Sequence, residues 1–260
     1  MARRERLDRL LVAQGLAPTR ESAQALILAG TVRVDGETAH RAGAPIPETA
    51  VVTIDAGRRY VSRGGEKLEG ALEDLGIDVV DSVCLDIGAS TGGFTDCLLT
   101  RGARRVHAVD VGRGQLDWKL RNDPRVSARE GLNAREPFEL AEPVDLIVAD
   151  VSFISLTLAV PPSFRHLKDH GDVIVLVKPQ FEAGRESVGK GGVVRDPGIR
   201  AACVMSVAAH FAREGVGALA VAPSRLRGRE GNREIFLYAR KGRTALDADA
   251  LLAAAERAAA

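Results

Sequence analysis

The sequence predicts an α/β protein: a mostly parallel sheet with an antiparallel last strand, preceded by a small α+β unit. Three observations carry this reading. Apolar runs of strand length alternate with helical patterns from Val83 to Arg240, which argues for a parallel sheet covered on both faces. The last two runs, Val216–Ala222 and Glu234–Ala239, are joined by Pro223 to Arg233 without a helical pattern, a connection too short for a parallel crossover. A helix–helix–strand pattern fills about the first sixty residues.

Leu7, Leu10 and Leu11, with a stop at Gly15, predict a short amphipathic helix within Arg3–Gly15. Thr19 to Ala29 predicts a second helix, with Thr19 or Ser22 as its cap, Ala23, Leu26 and Ile27 on one face, and Gly30 as its end. Thr31–Val34 reads as a strand, Asp35-Gly36 as a turn and Ala50–Ile54 as another strand. The Gly- and Arg-rich stretch that follows marks a boundary, which divides the chain into a unit at 1–57, a linker at 58–66, a larger domain at 67–243 and a tail at 244–260 that is either a short helix or frayed. Tyr60 and Val61 are placed between the domains. Lys67–Leu75 reads as a helix with Leu68, Ala71, Leu72 and Leu75 inward.

In the larger domain the expected strands are Val83–Asp86, Arg105–Asp110, Val126–Glu130, Val144–Asp150 and Asp172–Lys178, then the late pair. Expected helices are Phe94–Arg101, Ser155–Leu167 and Ile199–Arg213. The stretch Val83–Leu99, VCLDIGASTGGFTDCLL, is a buried strand, a glycine-rich turn and a helix start, an arrangement that brings backbone N–H groups close to a ligand. Asp110 ends the next strand, where an acid suits a pair of ribose hydroxyls, so the two features together predict an adenosine-containing cofactor. Ser90 replaces the second glycine of the dinucleotide fingerprint, which argues against hydride transfer. Sites in such sheets lie beyond the carboxyl ends of the strands, and Gly88, Asp110, Asp150 and Lys178 all fall there.

Composition excludes several classes. With 45% hydrophobic and 27% charged residues and a net charge of +1, the chain is an ordinary globular protein and no polycation, so a nucleic-acid surface requires local clustering. Cys84, Cys97 and Cys203 lack zinc-ligand spacing and read as buried residues in a reducing compartment. No secretory signal follows the charged start and no apolar run reaches membrane-spanning length, so the cytoplasm is the expected location.

Lys178 at the end of a buried strand is costly unless paired or functional. An ion pair with Asp150 that closes the crevice and a chemical role there both fit the pattern. Glu234 is at the start of an apolar strand, facing the crevice or the surface. Basic residues cluster in Ser224–Arg243 (Arg225, Arg227, Arg229 and Arg233 among them) and in the glycine-rich Gly184–Arg200 with Arg185, Lys190 and Arg195; phosphate binding is the preferred reading of both.

The segment RLDRLLVAQGLAPTRESAQALILAGTVRVDG resembles the alpha-L RNA-binding domain of a small-subunit ribosomal protein, pseudouridine synthases and bacterial tyrosyl-tRNA synthetases. That resemblance implies Arg4, Arg6, Arg20 and Arg33 as phosphate contacts. SRGGEKL with Lys67, LDIGASTGGFTD, VADVSF with Asp150, LVKPQFE with Lys178 and GNREIFLYARKG with Glu234 occur in the order of the Lys-Asp-Lys-Glu tetrad of FtsJ-type 2'-O-ribose methyltransferases. The whole chain resembles the TlyA family of bacterial rRNA cytidine 2'-O-methyltransferases, historically labelled haemolysins. The resemblance implies a Rossmann-like class I methyltransferase sheet and Lys67, Asp150, Lys178 and Glu234 as catalytic residues. It implies an S-adenosylmethionine site at Gly88, Ser90, Gly92, Gly93, Phe94, Asp110, Asn133 and Asp150, and ribosomal RNA of the small or large subunit as partner. No metal is required. Two alternatives remain: a base-directed RNA methyltransferase, since Asp150–Phe153 sits where such enzymes carry Asp/Asn-Pro-Pro-aromatic, and a membrane-lytic protein.

Overall fold

The computed structural model describes residues 4–28, 31–54, 59–228 and 231–260. It contains two compact units, residues 1–59 and 60–260.

In the first unit, strand β1 (Arg4–Arg6) leads into helix α1 (Leu7–Ala13), followed by α2 (Arg20–Leu28), β2 (Val32–Val34), β3 (Glu37–Thr38), β4 (Pro45–Pro47) and β5 (Val52–Ile54). Strands β3, β2 and β5 form one antiparallel sheet, and β1 pairs with β4, a pairing absent from the sequence reading because neither strand exceeds three residues. Asp35 and Gly36 both adopt positive φ, as the tight β2–β3 hairpin demands. Leu7, Leu10, Leu11, Ala23, Ile27, Val32 and Val52 make the core. Asp8 is fully buried and accepts from Arg6, Arg20 and Gln24 at 2.9–3.0 Å, and these donors hold its carboxyl well below the usual carboxylate range. Gly30, the expected stop of α2, and the 57/58 boundary lie outside the described residues.

The second unit starts with α3 (Arg63–Leu75), which ends at Gly76 in the left-handed conformation. It continues through β6 (Val83–Ile87), α4 (Gly93–Thr100), β7 (Arg105–Asp110), α5 (Trp118–Arg121), β8 (Val126–Glu130), β9 (Val144–Ala149), α6 (Leu156–Ala159) and β10 (Leu167–Val177). The last elements are α7 (Pro179–Glu182), α8 (Pro197–Arg213), β11 (Val216–Pro223), β12 (Ile235–Lys241) and α9 (Ala248–Ala259). The seven strands are ordered β11-β12-β10-β9-β6-β7-β8. The parallel crossover through α8 leaves a gap beside β10; β12 returns by a short loop and fills it, antiparallel to both neighbours.

Three expectations need correction, and one open alternative is decided. The helix expected from Lys67 begins at Arg63, inside the stretch expected as a linker at 58–66. The helix expected over Ser155–Leu167 stops at Ala159, because Pro161 and Pro162 cannot continue it, and a 3-10 turn, Pro161–His166, follows. Tyr60, expected between the domains, is buried in the core of the second unit against Gly65. Of the two readings of 244–260, the short helix holds: α9 buries Leu251, Ala255, Ala258 and Ala259 in the same core as α8 and β11. The three cysteines are free and buried. Among the described residues no helix is long and apolar enough to cross a membrane, and no group of three His, Cys, Asp or Glu residues is arranged to hold a metal.

Candidate active site

Sheet register assembles the site. Ile87 is level with Val109 on one side and Ala149 on the other, so Gly88, Asp110 and Asp150 leave three adjacent parallel strands side by side. Val175 pairs with Ala149 and Val177 with Ile235, which sets Lys178 beyond β10, next to the start of antiparallel β12 and Glu234. Antiparallel insertion thus brings a residue from the beginning of a strand to an edge made of strand ends.

Two cationic pairs result. Lys67 Nζ donates to Glu234 Oε2 at 2.5 Å, and the two residues are 9% and 4% exposed. Lys178, also 9% exposed, donates to Ser152 Oγ at 2.8 Å and lies 2.7 Å from Asp150 Oδ1. That last contact is an ion pair, which together with Ser152 fixes the lysine at the rim. Lys178 also sits 5.9 Å from the Phe181 ring centroid. Lys67 reaches the site because Gly93, at the start of α4, leaves room for the backbone of Gly64 and Gly65 in the first turn of α3.

Both pairs border a cavity of about 780 Å³ that extends over Gly88, Ser90, Asp110, Asn133, Ser152, Phe153 and Phe181. A smaller one of about 160 Å³ touches Gly88, Ser90, Gly93, Phe94, Asp150 and Lys178. Gly88 and Gly92 have φ of 79° and 95°, and Ser90 shares the left-handed region at 49°. Asp110 accepts from Ser90 N at 2.8 Å and Gly112 N at 2.7 Å, one amide on each oxygen, leaving a lone pair on each for a diol. The bare turn and the Asp110 carboxylate fit a nucleoside. Phe94 is buried and stacks on Phe236, so its side chain shapes the floor. Gly92 packs under Leu116 and Leu120 and lines neither cavity. Beneath the turn, Asp86 accepts from Thr95 Oγ1 at 2.7 Å, and complete burial pushes its carboxyl up to about 7.

Residues 60–241 match the FtsJ-like methyltransferase family and residues 5–52 the S4 domain. The chain belongs to the FtsJ-like methyltransferase family. It is 49% identical over 244 residues to the 16S/23S rRNA (cytidine-2'-O)-methyltransferase TlyA of Mycobacterium tuberculosis, covering 92% of this chain and 91% of that relative. Hemolysin A of Brachyspira hyodysenteriae is 47% identical over 199 residues, 75% of this chain and 82% of its own length. A solved hemolysin-named structure from Streptococcus thermophilus matches at 39% identity and TM-score 0.73, covering 99% of this chain and 98% of that one.

For an FtsJ-like methyltransferase, sequence reasoning passed over three residues at the site. Ser152 holds Lys178. Phe153 is 91% exposed with φ of 64°, its ring 5.1 Å from that of Phe181. Glu182 grips the far end of the same loop, accepting from Ser155 Oγ at 2.6 Å and Leu156 N at 2.8 Å, and its burial pushes its carboxyl up. A positive φ on an aromatic residue has no sequence signal. Of the basic residues, Arg225 is committed to Glu73 and Asp74 at 2.7 Å each, and Arg6 and Arg20 spend part of their donor capacity on Asp8. Arg33 donates to Gly36 O at 3.2 Å, and Arg4 is exposed on β1. Lys190 and Arg227 are exposed, and Arg233 is half-buried. Arg229 lies outside the described residues, as does the side chain of Arg185.

Proposed function

We propose that this FtsJ-like methyltransferase moves a methyl group from S-adenosylmethionine to the 2'-hydroxyl of a cytidine in ribosomal RNA, acting in the cytoplasm on the small subunit, the large subunit or both. The observation that carries the reading is the convergence of two lysine–acid pairs on one cavity rim beside the glycine-rich turn. Base methylation has no use for paired lysines.

Gly88, Ser90, Gly93 and Asn133 would hold the cofactor, Asp110 would accept from its ribose hydroxyls, and Asp150 would accept from its amino group. When bound, S-adenosylmethionine supplies a methyl group already activated by its sulfonium. The protein's part is to place the hydroxyl in line and to manage its proton. Lys178 meets the 2'-oxygen, as the acceptor of its proton or the cation beside the forming oxyanion. Asp150 and Ser152 fix that lysine in position. Lys67, held by Glu234, orients the ribose. The target nucleotide must leave its helix to reach this depth, and Phe153 offers a ring at the rim for the displaced base. The S4 domain grips RNA elsewhere through Arg4, Arg6, Arg20 and Arg33.

The test uses ribosomal subunits from a strain lacking this gene, labelled S-adenosylmethionine, and wild type against Lys178→Ala. Expected are label in an alkali-resistant dinucleotide and a rate lower by about 10²–10⁴-fold in the variant, with cofactor binding retained. Label released in alkali-labile mononucleotides would mean base methylation and overturn the reading.

A further inference from the structure

We infer that Arg200, Arg227 and Arg233 form a subsite for one phosphodiester of the RNA substrate, next to the catalytic rim. The inference rests on the RNA reading above and specifies where the backbone is held.

Arg200 lies in the first turn of α8 and is only 7% exposed. Its buried Nε donates to nothing, and neither Arg200 nor Arg233 pairs with a carboxylate among the described residues. Among the described residues Arg227 makes one long side-chain contact, Nη1 to Gly231 O at 3.5 Å. A buried guanidinium without a partner is expensive, and the charged neighbours of Arg200 compound the cost. Burial depresses its pKa, and Arg233 and Arg227 depress it further, while Asp196 acts in the other direction. Asp196 is occupied in capping α8, accepting from Gly198 N at 2.7 Å.

Backbone connections hold the three arginines in one place. Asn232, buried, accepts from Val194 N at 3.0 Å and donates to Gly192 O at 2.8 Å, which binds the segment entering α8 to the residue before Arg233. Asn232 O accepts from Gly228 N at 2.9 Å, folding Arg227 back toward the same point. Arg63 Nη2 donates to Arg227 O at 3.0 Å, tying the loop to α3 one turn from Lys67. Arg233 directly precedes Glu234. The start of α8, a helix of 17 residues, adds its N-terminal partial positive charge. Planar guanidinium forks suit a phosphodiester better than a compact cation would. A phosphate held here is positioned to orient the adjoining ribose toward Lys178.

The full-length protein carrying ¹⁵N at arginine Nε would be titrated with single-stranded oligocytidylate and, separately, with inorganic phosphate at equal phosphate concentration. The Arg200 signal is assigned by its loss in Arg200→Lys. Arg233→Gln, at a half-buried site, gives an independent measure through the salt dependence of oligonucleotide binding. The expected result is a shift of the Arg200 signal with RNA and not with phosphate, and a log–log salt slope shallower by about 0.7 in Arg233→Gln. An Arg200 signal that stays fixed while other arginines move would overturn the subsite and leave RNA binding standing. Equal shifts with inorganic phosphate would make it a free-anion site and overturn the proposal. No arginine shift with RNA would overturn the RNA reading and the subsite with it. An unchanged slope in Arg233→Gln would remove that residue's phosphate contact and refute the three-arginine assignment.

Discussion

Gly93→Ala tests whether Lys67 is delivered by close packing between α3 and α4. A Cβ on Gly93 would overlap Ser62 Oγ, stand 2.9 Å from Gly65 N and 3.1 Å from Gly64 Cα. The serine hydroxyl can rotate away; the two backbone atoms cannot. Restoring ordinary contact requires α3 to retreat by about 0.5 Å, and overpacking of this kind costs about 1–3 kcal/mol. For a domain of this size that lowers Tm by about 2–12 °C. Lys67 rides on the same turn, and because an error of about 1 Å at a reacting centre costs about 10²-fold, methyl transfer should fall about 10-fold. Gly64→Ala is the control. Its Cβ would meet nothing nearer than 3.4 Å, and alanine gains up to about 1 kcal/mol of helix propensity, so its Tm should hold or rise. Thermal melts of both variants, with single-turnover transfer rates for Gly93→Ala, decide the matter. A Gly93→Ala variant that melts with wild type, or a Gly64→Ala variant that falls as far, would refute the reasoning.

Glu234→Gln leaves the Lys67 ammonium buried without its carboxylate and should cost about 3–5 kcal/mol in urea unfolding. Lys67→Met with Glu234→Leu should recover most of that stability and none of the activity; a double variant as unstable as the single would show that charge pairing is not what the site loses. The raised Asp86 carboxyl makes the folded state bind its proton more tightly than the unfolded chain, so wild-type stability should decline relative to Asp86→Asn between about pH 4 and pH 7, by at most about 1.4 kcal/mol per pH unit, and level off above. Parallel denaturation midpoints at pH 5 and pH 8 measure it, and a constant difference between the two proteins would count against the buried acid. Phe153→Ala should leave Tm unchanged, since the ring is exposed, and raise KM for RNA about 10-fold through lost stacking; an unaltered KM would remove the residue from substrate binding.

Much of the site was legible because four of its residues come from the carboxyl ends of apolar strands. Gly88, Asp110, Asp150 and Lys178 follow apolar runs that pair in parallel, so their convergence needs only topology. Glu234 and Lys67 were not legible that way. Glu234 precedes its strand, and only the antiparallel insertion of β12 between β10 and β11 turns a strand start toward the rim. Lys67 is on a helix, and what brings it in is the absence of a side chain at Gly93, which lets the backbone of Gly64 and Gly65 come close, a contact between segments about thirty residues apart. Family resemblance supplied both residues before geometry could. The arginines show the opposite limit. Arg225 and Arg200 look alike as basic residues in basic stretches, yet Arg225 is neutralised by Glu73 and Asp74 while Arg200 is buried against like charge. Local charge counting ranks Arg225 above Arg200 because it sees cationic neighbours along the chain. It does not see which acids the fold has already brought to them, and an arginine's capacity to bind a phosphate is what remains after those pairings are made.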